Sequence, residues 1–137
     1  MRTHSVARPW IGFLLLVAAC EVAGLYSVSR ALGEAYRDAK IRVALTDGLV
    51  LTVTFTESPL THASCDSQVS AAMHVAAIVR DHYTAFDSLQ RVDVAFAAGP
   101  NARLPLRFAR TAISSGLGAA DSTRAVETCR SYEELQR

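Results

Sequence analysis

Residues 40–56 read KIRVALTDGLVLTVTFT. Ile41, Val43 and Leu45 alternate with Arg42, Ala44 and Thr46. Leu49, Leu51, Val53 and Phe55 alternate with Val50, Thr52, Thr54 and Thr56. A period of two is the mark of a strand with one buried face, and Asp47-Gly48 between the runs marks a hairpin turn. A two-residue Asp-Gly loop would oppose odd to even positions and split the apolar rows between two faces. A three-residue loop, Thr46-Asp47-Gly48, pairs Leu45 with Leu49, Val43 with Leu51 and Ile41 with Val53. Both apolar rows then share a face, so this register is expected.

Moving outward, Glu57-Ser58-Pro59-Leu60 ends the second strand, since proline cannot donate to a ladder. Ser64, Asp66 and Ser67 are candidate caps for a helix from about 67 to 84. Val69, Ala72, Met73, Ala76, Val79 and Tyr83 form its apolar stripe, with Gln68, His74 and Asp81 off it. Residues 91–97 alternate again, as do 103–109, where Pro105 signals an edge strand or a bulge. A short helix is expected over 122–135, with Ala125, Cys129 and Tyr132 on one side. The predicted class is α+β, in the order β-β-α-β-β. The sheet is expected to be mainly antiparallel and four-stranded, with one helix packed on one face.

The chain has 137 residues, of which 50% are apolar and 20% charged, within the range of one globular domain. The formal net charge is +1. Without Arg2 and Arg8 the balance is 12 basic against 13 acidic residues, or −1. Such a domain has no electrostatic case for nucleic acid. The small cluster Arg103, Arg107 and Arg110 reads as a solvated strand face.

The amino terminus has a different composition. Residues 1–9 are polar and basic, residues 10–19 (WIGFLLLVAA) are apolar, and Cys20-Glu21 follows. This is the layout of a secretory signal peptide. A bilayer-spanning helix needs roughly 20 apolar residues. Extending the run to Tyr26 would bury Glu21, at a cost of about 2.5–3.5 kcal/mol if central. Val17-Ala18-Ala19-Cys20, after three leucines, resembles the lipobox of bacterial lipoproteins. That resemblance implies cleavage before Cys20, a diacylglycerol on its sulfur, and anchorage through acyl chains to a membrane of the cell envelope. The expected division is therefore a signal peptide over 1–19, a lipidated tether or amino-terminal helix over 20–39, and a small α+β domain over 40–137. Residues 21–39 carry apolar positions at helical spacing, with Gly24 and Gly33 weakening the helix.

If Cys20 carries lipid, Cys65 and Cys129 remain as a pair. Export would place them where disulfides persist. A bridge would close a loop of about 65 residues and stabilise by roughly 4 kcal/mol. Two separate buried or reactive thiols are the alternative. The spacing fits no zinc motif, and no metal or cofactor is expected.

Candidate chemistry is sparse. His74 and Asp81 share a helix face, and His62 lies in the preceding loop. His82 sits near the helix end, where a cation favours the dipole. Gly116-Leu117-Gly118 follows no clear strand. No HExxH, GxSxG or phosphate-cradling loop occurs. The expectation is a non-catalytic binding or structural module of the envelope, facing the periplasm or the cell exterior, with an envelope protein as a possible partner. A small periplasmic enzyme or metal-binding protein using His74, Asp81 or His62 is one alternative. A single-span membrane protein retaining residues 10–26 is another.

Overall fold

The structure is a computed structural model that describes residues 23–98, 101–102 and 105–137. Residues 23–35 form helix α1. Strand β1 (Lys40–Thr46) and strand β2 (Val50–Glu57) follow, then helix α2 (Cys65–His82). Strand β3 (Arg91–Ala98), the short β4 (Asn101–Ala102) and β5 (Leu106–Ala109) come next. Helices α3 (Arg110–Ser114) and α4 (Ala119–Leu135) close the chain.

The α+β class is present; the expected β-β-α-β-β order is matched only in part, since three short strands follow α2 and further helices flank the set, and the sheet is mixed. β1 pairs antiparallel with β2, β2 parallel with β3, and β3 antiparallel with both β4 and β5. The expectation of a mainly antiparallel sheet is therefore corrected at its centre. A helix joins β2 to β3, and such a crossover returns the chain to the strand's starting end, so the two strands run parallel. Period-two alternation reports one buried face and carries no information on strand direction. β4 and β5 share the fourth position. Ala97 faces Ala102 but Val94 faces Leu106, so one extra residue lies between Ala102 and Leu106. Pro105 immediately precedes β5, on the strand at the sheet's edge.

The hairpin register also differs from expectation. Asp47 (φ 54°) and Gly48 (φ 70°) both lie in the left-handed region, and Leu49 N donates to Thr46 O at 3.0 Å. Positive φ at both central positions is what a type I′ turn requires. The ladder then closes at Thr46–Val50, leaving Leu49 as the extra residue. Val43 faces Val53 and Ile41 faces Phe55, two positions beyond the expected partners. The apolar rows still share one face, because the loop keeps odd opposite odd.

That face carries Leu51, Val53, Phe55, Val92, Val94, Phe96, Leu106 and Phe108, all buried. The expectation of one covering helix is corrected to several. α1 contributes Val28 and Leu32, α2 contributes Val69, Ala72, Val75, Ala76 and Val79, and α3 contributes Ile113. α4 has no buried residue and packs through Ala125, Val126 and Cys129, which are partly covered. Phe55 is fully buried, stacked 5.1 Å from Phe96 and edge-on to Tyr36 at 5.2 Å.

The opposite face of the sheet is open at β1, where Arg42 and Ala44 are exposed, and closer at β3, where Asp93 is buried. It carries Arg42, Ala44, Thr52, Thr54, Arg91, Asp93 and Arg107. There the Asp93 carboxylate is 3.0 Å from Arg91 Nε and 3.9 Å from Arg107 Nε. This answers the basic cluster in part: Arg107 is exposed on that face, whereas Arg110 Nε donates to Leu89 O at 2.9 Å. Arg103 lies outside the described residues.

Candidate functional site

α2 begins at Cys65 because Ser64 caps it, its Oγ accepting from Ser67 N at 3.3 Å. Asp66 in the first turn and Arg80 and His82 in the last complement the helix dipole. This cap places Cys65 beside Cys129 of α4. The two sulfurs are 2.06 Å apart, with Cα atoms separated by 5.8 Å, so the residues form a disulfide. Around it lie Gln68, Tyr132 and Glu133. Gln68, off the apolar stripe by spacing, is nevertheless only 2% exposed. Its Nε2 donates to Leu60 O at 2.8 Å, and its Oε1 lies 3.7 Å from Cys129 Sγ. A buried amide is tolerated there because the 3-10 turn Pro59–His62 presents its carbonyls to it.

Cys65, Cys129 and Glu133 place ligand-type atoms within 4.8 Å of one another. Bonded sulfurs are not thiolates, and the thiolate is the metal ligand. In the disulfide form this cluster therefore holds a bridge and offers no thiolate to a metal.

A second cluster joins the residue that follows α1 to α2. The Tyr36 hydroxyl is 2.9 Å from His74 Nδ1 and 3.4 Å from Ala71 O. Burial of the phenol pushes its pKa above the ordinary value. Tyr36 and His74 border a wide surface depression of about 550 Å³ with Asp66, Ser67, Ser70 and Ala71. Asp66 pairs with Arg130 of α4 at 3.0 Å, and Ser67 Oγ accepts from Ser64 Oγ at 3.2 Å. The phenol and imidazole can share a proton, but Ser67 serves the α2 cap and Asp66 a tie between helices. The pair ties the carboxyl-terminal end of α1 to α2.

His74 and Asp81 are not brought together. Asp81 pairs with Arg80 at 2.9 Å. The hydrogen bond from Arg80 holds its carboxyl below the usual range, with burial opposing and the Arg80 and His82 charges assisting. His62 is exposed at the end of the 3-10 turn, and His82 is exposed at the last position of α2. Gly116 (φ 87°) follows α3, and Gly118 caps α4. Gly118 N donates to Asp121 Oδ2 at 3.0 Å, so the chain's own carboxylate takes the place an anion would occupy. Cys20 lies outside the described residues, as does the apolar run before it. Among the described residues no helix is long and apolar enough to cross a membrane.

A groove of about 300 Å³ runs between the outer edge of β5 and α4, with Leu106, Phe108, Leu117 and Ala125 on its walls. Periodicity gave no sign of it, because it arises where a weakly packed helix flanks an edge strand.

Comparison with known proteins finds no matching protein family, no curated relative and no similar solved structure.

Proposed function

We propose that the chain is an exported bacterial lipoprotein, with Cys20 acylated and the α+β domain displayed at a membrane surface as a binding or structural module. The carrying observation is the bond between Cys65 and Cys129. It uses two of the chain's three cysteines and leaves Cys20, at the end of Val17-Ala18-Ala19, for lipid. A disulfide that ties a loosely packed helix to the core also suits an oxidising compartment. Two or three acyl chains would anchor durably, since each buried methylene contributes about 0.8 kcal/mol.

The module reading is supported by what the polar side chains do. His74 bonds Tyr36 and Asp66 pairs with Arg130, each joining separate segments, while Asp81 pairs with its neighbour Arg80. Metabolic labelling with a fatty-acid analogue in a bacterial host tests the anchor. The wild-type chain is expected to take up label, and Cys20→Ser to take up none. Undiminished labelling of Cys20→Ser would contradict the assignment.

A further inference from the structure

We propose that one end of the domain rests directly on the lipid bilayer, with Tyr26 and Leu49 lying in its interfacial layer. This rests on the reading that the amino terminus anchors the chain to a membrane. The topology gathers four segments at that end: the start of α1, the β1–β2 turn, the stretch between α2 and β3, and the start of α3. Their contacts are explicit. A Cβ at Gly24 would meet Tyr83 Cε2 at 3.2 Å, which puts the start of α1 at the end of α2. Gln90 N donates to Leu49 O at 2.7 Å, and Arg110 N donates to Gln90 O at 3.0 Å.

The same end is tied to the anchor. Three peptide units separate Cys20 from Ala23, the first described residue of α1. An extended chain spans at most about 3.6 Å per residue, so Cys20 lies within about 11 Å of the folded domain. Such a leash leaves little space beneath the domain, whether lipid on Cys20 or a retained residue 10–19 segment supplies the hold. Among the described residues the exposed large hydrophobics are Tyr26 (68%), Leu49 (40%) and Leu135 (85%). Two of these three lie at this end. Tyrosine with a wet hydroxyl and an apolar ring suits the bilayer interface. The charges here are Arg80, Arg91 and Arg110 against Asp47, Asp81 and Asp87. They balance, so the contact does not call for an anionic lipid.

The test uses the full chain, purified with its lipid and reconstituted into phosphatidylcholine vesicles. Tyr26→Cys, Leu49→Cys and, at the far end of β2, His62→Cys are each labelled with an environment-sensitive fluorophore. The acylated Cys20 and the bonded pair leave the new thiol as the labelling site. In vesicles that float, labels at 26 and 49 are expected to shift to the blue and to lose intensity with lipids nitroxide-labelled near the headgroup, while the label at 62 does neither. Floating vesicles in which all three labels behave alike would overturn the membrane-facing end and leave the anchor standing. A chain that does not float would overturn both.

Discussion

The Tyr36 hydroxyl and His74 Nδ1 lie 2.9 Å apart across 38 positions of sequence, joining the carboxyl-terminal end of α1 to α2 at the surface while the Tyr36 ring packs on Phe55 below. Tyr36→Phe keeps the ring and deletes the bond. It is expected to lower unfolding stability by about 0.5–1.5 kcal/mol in a denaturant titration. The pH dependence has a definite sign. Burial raises the folded-state pKa of Tyr36 above the ordinary 10.0, so its contribution is complete below that value and is lost as pH climbs through the raised one. The stability gap between wild type and Tyr36→Phe should therefore narrow in alkali. A gap that is constant with pH would contradict this.

The Cys65–Cys129 bond spans 64 positions and holds a helix with no buried residue of its own. Replacing both cysteines by serine is expected to cost about 4 kcal/mol. The loss should be uneven. Hydrogen exchange should accelerate first at the amides of residues 119–135, while β2 and β3 stay protected. Uniform acceleration would mean that α4 is held by packing instead.

Phe55 anchors the core between Phe96 and Tyr36 and is fully buried. Phe55→Ala is expected to destabilise by about 3–5 kcal/mol, through lost burial and the cavity left behind. Thermal unfolding measures this directly. A loss comparable to an exposed substitution such as Thr56→Ala would refute the packing described.

Two glycines of α1 should respond in opposite directions. A Cβ at Gly24 would meet Tyr83 Cε2 at 3.2 Å and Thr84 Oγ1 at 3.3 Å, whereas one at Gly33 meets nothing within 4 Å. Gly24→Val is expected to cost about 1–3 kcal/mol by overpacking. Gly33→Ala is expected to add about 0.5–1 kcal/mol by restricting the unfolded chain and favouring the helix. Equal effects at the two sites would show that α1 does not pack as described.

These two positions also show how far the sequence could be read. Both glycines weaken α1 by propensity, and only the approach of Tyr83, distant in sequence, separates their roles. The hairpin, α2 and the shared apolar face were legible because burial on one side imposes a period. The turn type was not: Asp47 adopts a left-handed conformation that a glycine alone was expected to take, and the register moved by two. The parallel β2–β3 pairing was missed because alternation has no direction. Helix α3 was missed because five residues are too few to show a period. Cys65 and Cys129 could be paired by counting, but their proximity came from the Ser64 cap and the packing of α4. Tyr36 carried no local sign of its bond to His74, since the two lie 38 positions apart in sequence.

The most direct measurement is the intact mass of the mature chain extracted from bacterial membranes. The expected mass is that of residues 20–137 with a diacylglycerol-modified Cys20 and one disulfide. A chain that retains Met1, or one beginning at residue 20 with an unmodified thiol, would contradict the account.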